Sequence, residues 1–201
     1  MAYSDFKTLK AVKEKFGLTV REQTDLFARI LPQPPTDNLS IHLKETIPLA
    51  ISINTEKARS ELMITPVLLE VRRRSIPILG FFSGIDFTVD ESLGLNGYCD
   101  YILSRSSDQL TLNAPVVMIA EAKNENIKNG LGQCLAAMVA AQRFNEQEQN
   151  AIDTLYGAVT TGEVWKFLML QENIASVDLS DYYLPRDLDQ ILGILMQSPD
   201  L

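Results

Sequence analysis

Three charged residues lie within or at the end of two apolar, strand-like segments. Asp100 lies inside GYCDYIL, and Glu121 and Lys123 end the segment VVMIAEAK. Side chains alternate between the two faces of a strand, so Glu121 and Lys123 point to the same side. If the strands form an antiparallel hairpin that turns near Leu110 and Thr111, Asp100 lies across from Glu121, within one or two residues. The pattern therefore predicts two carboxylates and one ammonium group on one face of a sheet.

Carboxylates paired in this way repel each other, and a divalent cation bound between them relieves the repulsion. The Ala122 carbonyl is expected to supply a further oxygen ligand, and Lys123 to hold the attacking water or a phosphate. The chain has one histidine, and its two cysteines, Cys99 and Cys134, form no CxxC pair. Multi-histidine metal sites are thereby excluded, and a cysteine zinc site is not indicated. The expected ion is one that carboxylates bind, Mg²⁺ or Mn²⁺.

The composition is that of a globular protein with an acidic balance. The 201 residues include 18 Lys and Arg against 26 Asp and Glu, which gives a net charge of -8. Proteins that coat nucleic acid without specificity are usually basic, so this class is disfavoured. No apolar run is long enough for a membrane span, and the N-terminus lacks the apolar core of a secretory signal. We expect a cytoplasmic protein without a membrane partner.

The first 38 residues are predicted to form a helical appendage, used for dimerisation or as a lid. Apolar spacing predicts a helix over residues 4–16, and Thr19 is expected to cap a second helix in VREQTDLFARIL. The segment PQPPTDN then serves as a linker, and residues 39–201 form the main domain. Because Pro48 interrupts it, LKETIPLAISIN is interpreted as an edge strand or extended loop.

From Thr55 onward the pattern predicts a helix, three strands, a long Ala-rich helix, two further strands and a closing helix. This order indicates a mixed α/β fold in which helices cover a central mixed sheet.

The segments GYCDYIL, VVMIAEAKNENI and GLGQCLAAMVAAQ together resemble the core of the PD-(D/E)XK, or restriction-endonuclease-like, nuclease superfamily. The resemblance covers roughly residues 55–170 and rests on Asp100, Glu121, Lys123 and Gln133. It implies an αβββαβ core and Mg²⁺-dependent hydrolysis of phosphodiesters in DNA or RNA. Cys99 stands where the pattern that names the superfamily has proline.

The resemblance also implies a glutamate on the first core helix that completes the metal site. Glu61 matches by position, with Glu70 as the alternative; the two are nine residues apart, so at most one faces the site. Gln133 is expected either to orient Lys123 or contact a phosphate, or to be an ordinary amide on the helix surface.

The sequence therefore predicts a metal-dependent nuclease. Its expected partner is nucleic acid, DNA rather than RNA, and the expected assembly is a homodimer or a larger complex. A second hypothesis is a non-catalytic DNA-binding or regulatory subunit with the same fold. A third is a small α/β protein without a metal site, whose carboxylates pair with Lys123 and Lys128.

Overall fold

The structure, a computed structural model, describes residues 2–197 and is built on one eight-stranded mixed sheet. Seven strands follow one another across the sheet in the order β1-β7-β6-β5-β4-β3-β2, and β8 pairs with β6. The strands are β1 (Thr19–Gln23), β2 (Gly80–Asp86), β3 (Tyr98–Ser104), β4 (Val116–Ala122), β5 (Leu155–Thr160), β6 (Val164–Gln171), β7 (Ile174–Asp178) and β8 (Tyr182–Tyr183).

Helices cover both faces of this sheet. They are α1 (Leu9–Phe16), α2 (Asp37–Ile53), α3 (Glu56–Arg59), α4 (Thr65–Arg74), α5 (Ile127–Gln147) and α6 (Leu188–Leu195). A π-helical turn, Ser60–Ile64, joins α3 to α4. Residues of α1 and α5 share one apolar cluster, and residues of α2, α4 and α6 share the other. No helix within residues 2–197 is both long enough and apolar enough to cross a membrane.

The two central strands are apolar along their whole length because helices bury both of their faces. Every residue of β4 and β5 is buried, and the two strands run parallel to each other. β4 pairs antiparallel with β3 on its other side, and β3 pairs antiparallel with β2. The α5 helix makes the crossover from β4 to β5 and packs on the same central strands. The mixed α/β class and the mixed sheet are confirmed, and the structure adds β7 and β8 between the predicted strands and the closing helix.

The predicted second helix in VREQTDLFARIL is wrong, because this segment forms a strand and then turns. Thr19–Gln23 is strand β1, which pairs in parallel with β7 at one edge of the sheet, and turns follow it. The pairing partner, Ile174–Asp178, lies about 150 residues further along the chain, so no local pattern reveals it. The N-terminal segment is therefore not purely helical. The predicted ranges 1–38 and 39–201 also include residues 1 and 198–201, which lie outside the described part of the chain.

The predicted edge strand LKETIPLAISIN is also wrong, since it belongs to helix α2. Thr36 caps this helix by accepting a hydrogen bond from the Leu39 amide at 3.3 Å, and Leu39, Leu43 and Ala50 are buried at helical spacing. Pro48 lies inside the helix and is exposed, so it removes one backbone donor without burying an unpaired group. The free energy gained by burying the opposite face of α2 exceeds the cost of the backbone hydrogen bond that Pro48 removes.

Candidate functional site

The register of β3 and β4 brings Asp100 and Glu121 together. Tyr101 pairs with Ala120, so the next position in the antiparallel ladder sets Asp100 opposite Glu121. The predicted juxtaposition of these two acids is thus confirmed. Both lie where β4 ends, close to the start of α5.

Hydrogen bonds tie the predicted residues into one cluster. The Ala122 amide donates to Asp100 Oδ2 at 2.8 Å, and the Lys123 ammonium donates to Glu121 Oε1. Lys123 Nζ also lies 3.4 Å from Gln133 Oε1, at the limit of a hydrogen bond, so this helix amide helps to orient the lysine. The structure therefore brings together five of the residues singled out in the sequence.

A glycine in the first turn of α5 makes room for the lysine. A Cβ added at Gly130 would lie 3.2 Å from Lys123 Cε and 2.6 Å from Val159 Cγ1. Any larger residue would push the helix away from the sheet or displace the lysine stem. Gly130 thus permits the close approach of α5 that places Gln133 beside Lys123.

Burial and like charge govern the ionisation of this cluster. Glu121 is 3% exposed, and its pKa rises from 4.5 to about 8 because of burial and repulsion from Asp100, with Lys123 acting in the opposite direction. The pKa of Asp100 is also raised, chiefly by burial. Burial acts to lower the pKa of Lys123, but the attraction of Glu121, Asp100 and Glu56 outweighs it and raises that pKa. Lys123 therefore keeps its proton, and its positive charge limits the rise in the pKa of Glu121.

The cluster faces an open pocket of about 400 Å³. The Tyr98 ring at its edge is 70% exposed. The pocket is lined by Ala2, Tyr3, Ser4, Glu56, Gly97, Tyr98, Asp100, Glu121, Lys123 and Gln133. Asp100 and Lys123, which are partly exposed, are thus accessible to a solute, whereas Glu121 is buried; the N-terminal segment forms part of the wall.

The acid that helix α3 contributes to this pocket is Glu56, which sequence reasoning missed. Glu61 does not line the pocket; its side chain is 63% exposed and lies 3.7 Å from the Lys57 ammonium. Glu56 is the first residue of α3, whereas Glu61 lies in the π-helical turn that follows it. As the acidic first residue of a helix after Thr55, Glu56 looks like an ordinary partner of the helix dipole, so the sequence carries no signal for it.

The alternative acid, Glu70, has a structural role. It is 2% exposed and accepts hydrogen bonds from the Thr36 amide at 3.0 Å and from the Thr36 hydroxyl at 3.1 Å. Arg73 and Arg74 lie within 4 Å of the same carboxylate. Glu70 therefore fastens the start of α2 to α4, and it does not line the pocket.

The carboxylate oxygens at the site are the kind of ligand that a hard divalent cation binds. Within residues 2–197, no group of three or more Asp, Glu, His or Cys side chains is placed to hold a metal ion. Asp100 and Glu121 nevertheless offer two oxygen donors, and the repulsion that raises the Glu121 pKa is the kind that a bound cation relieves. The remaining positions around such an ion would be taken by backbone oxygens and water.

Comparison of the sequence with protein-family models finds no match, and neither does comparison with curated proteins.

Proposed function

We propose that this protein is a Mg²⁺-dependent nuclease with a restriction-endonuclease-like αβββαβ core. The core would comprise α3 and α4, the strands β2, β3 and β4, helix α5 and strand β5. The observation that carries the proposal is the meeting of Asp100 and Glu121 beside Lys123 in an open pocket. Two acids from neighbouring strands next to a lysine are what metal-assisted hydrolysis of a phosphodiester requires.

Asp100 and Glu121 would hold the cation, together with the Ala122 carbonyl. The Ala122 amide already donates to Asp100 at 2.8 Å, so the backbone here lies against the first carboxylate. The bound ion would lower the pKa of a coordinated water and offset the negative charge that develops on the phosphate. Glu56, which lines the same pocket, would add negative charge that favours cation binding.

Lys123 would act as a cation rather than as a base. Its pKa is raised because the attraction of nearby carboxylates exceeds the effect of burial, so Nζ keeps its proton at neutral pH. A fixed ammonium group in a partly buried site stabilises charge that forms on a phosphate oxygen. Gln133 would position that ammonium through its Oε1 atom.

The test is cleavage of a labelled DNA duplex, a single-stranded DNA and an RNA in Mg²⁺ or Mn²⁺. We expect Glu121→Gln and Lys123→Gln to lower the rate at least about 100-fold, the loss typical when one such charge is removed. Glu56→Gln should lower it more modestly, and the matched control Glu61→Gln, outside the pocket, should leave it unchanged. Equal rates in the wild type and the Glu121 and Lys123 variants would refute the proposal.

A second candidate is a non-catalytic nucleic-acid-binding or regulatory subunit. It is favoured by the direct contact of the Lys123 ammonium with Glu121, which already compensates the acid without a metal ion. It predicts no cleavage of any of the three substrates and no Mn²⁺ binding by calorimetry. Mn²⁺ binding that is lost in Asp100→Ala would argue against it and in favour of the nuclease.

A further inference from the structure

A basic groove lies next to the candidate site, between the N-terminal segment and the start of α5. It has a volume of about 680 Å³ and contains four lysines and two acids, although the whole chain carries a net charge of -8. It is lined by Lys7, Thr8, Leu9, Lys10, Glu22, Lys128, Asn129, Leu131, Lys166, Val177, Leu179 and Asp181. The groove is therefore positively charged, although the protein as a whole is acidic.

The lysines of this groove differ in how free they are to bind a ligand. Lys166 is engaged, since its ammonium lies 2.7 Å from Asp181 and donates to backbone carbonyls. Lys10 lies 3.7 Å from Glu14 in an exposed pair that solvent screens and a stronger anion can displace. Lys7 and Lys128 are exposed, and neither has a carboxylate partner in the described part of the chain. Two ammonium groups and one carboxylate, that of Glu22, are thus without an ion-pair partner in the groove as the structure describes it.

The groove and the pocket that holds Glu121 share no lining residue, but the same two segments of the chain contribute to both. Residues 2–4 line that pocket and residues 7–10 line the groove, while α5 contributes Gln133 to the first and Lys128 to the second. The N-terminal segment is held tightly against α5: a Cβ added at Gly132 would lie 2.3 Å from the Phe6 carbonyl oxygen. The two walls are therefore fixed relative to each other.

The row of positive charge extends beyond this groove along α1. An adjoining pocket shares Leu9, Lys10 and Glu22 with the groove and adds Lys13. Within α1, Lys10 and Lys13 are three residues apart, so the row advances by about 4.5 Å between them at helical rise. This advance is comparable with the spacing of about 3.4 Å per phosphate along one strand of B-form DNA.

We propose that the groove binds the phosphate backbone of duplex DNA next to the cleavage site. This inference rests on the proposed function for its choice of nucleic acid as the partner. Lysines act as point charges that neutralise phosphates without reading bases. None of the twelve residues that line the groove is aromatic, whereas grooves for unpaired strands and RNA loops usually offer rings on which bases stack. The lining thus suits a strand whose bases remain paired.

The test compares Lys7→Gln/Lys128→Gln with Arg29→Gln/Lys44→Gln in the full chain. The control removes the same charge from exposed positions among the elements on the opposite face of the sheet. Binding of a short mixed-sequence DNA duplex is followed by fluorescence anisotropy in EDTA over a range of NaCl concentrations. Duplex RNA and single-stranded DNA of the same sequence are measured in parallel, and thermal denaturation verifies that both variants are folded.

We expect the groove variant to bind duplex DNA about tenfold or more weakly at low salt, and the control to bind like the wild type. The slope of log K against log salt should decrease by roughly 2, since each lost phosphate contact contributes about 0.9. Equal affinity and slope in the groove variant, no duplex binding by the wild type, or tighter binding of RNA or of single-stranded DNA would overturn the proposal.

Separate measurements distinguish failure of the groove from failure of the nuclease. Cleavage by the wild-type chain in Mg²⁺ tests the nuclease by itself. If the wild type cleaves DNA and the groove variant binds duplex DNA as tightly as the wild type does, only the proposal for the groove is overturned. A wild type that binds duplex DNA through the two lysines but cleaves nothing would overturn the nuclease alone.

Discussion

Glu121→Gln should change how stability depends on pH. In the unfolded chain Glu121 loses its proton near its ordinary pKa of 4.5, whereas in the folded protein its pKa is about 8 because of burial and the charge of Asp100. Between these values the folded state binds more protons, so its free energy of unfolding decreases as pH rises. Glutamine carries no titratable proton and removes this decrease.

The magnitude follows from the two pKa values. At about 1.4 kcal/mol per pKa unit, a rise from 4.5 to about 8 corresponds to roughly 5 kcal/mol. The variant also leaves Lys123 without its carboxylate partner, a cost present at both ends of the pH range. The useful quantity is the free energy of unfolding of the variant minus that of the wild type. This difference should be about 2–5 kcal/mol more favourable to the variant at about pH 9 than at about pH 5.

The assay is urea unfolding followed by circular dichroism in EDTA, at both pH values, for the wild type, Glu121→Gln and the control Glu61→Gln. The control removes an exposed carboxylate and should shift stability by under about 0.5 kcal/mol at either pH. If the stability of the wild type and that of Glu121→Gln changed with pH in the same way, the pKa of Glu121 would not be raised in the folded protein. The electrostatic description of the site would then be wrong.

Two further substitutions probe the scaffold. Gly132→Ala places a Cβ 2.3 Å from the Phe6 carbonyl oxygen, so we expect a loss of about 1–3 kcal/mol in urea unfolding; an unchanged midpoint would contradict the close approach of the N-terminal segment. Glu70→Gln weakens the charged hydrogen bonds that Thr36 donates, and we expect it to cost about 2 kcal/mol without lowering the cleavage rate of the folded protein. Reduced cleavage at unchanged stability would instead give Glu70 a part in the site.

The site could be predicted largely because local rules determine it. Strand alternation sets Glu121 and Lys123 on one face, and the hairpin register brings Asp100 opposite Glu121. These relations depend on short segments whose patterns are visible in the sequence. A contact of Gln133 with Lys123 was one of the alternatives that the sequence left open.

The errors arise where distant segments decide the outcome. β1 forms because β7 offers it an edge, and α2 forms because its buried face outweighs Pro48. Glu56 reaches the pocket while Glu61 does not, which depends on how the start of the helix lies against the sheet. Neither β1 nor the position of Glu56 has a periodic signature in its own segment, whereas the helical spacing in α2 was obscured by Pro48.

The placement of β1 has a consequence for any shortened version of the protein. This strand covers β7, whose backbone amides and carbonyls would otherwise be an open template for another chain. Cutting the chain at residue 38 would uncover that template and also remove Tyr3 and Ser4 from beside the acids. Such a fragment is expected to self-associate through its bare sheet edge. Expression fusions should therefore leave the first strand intact.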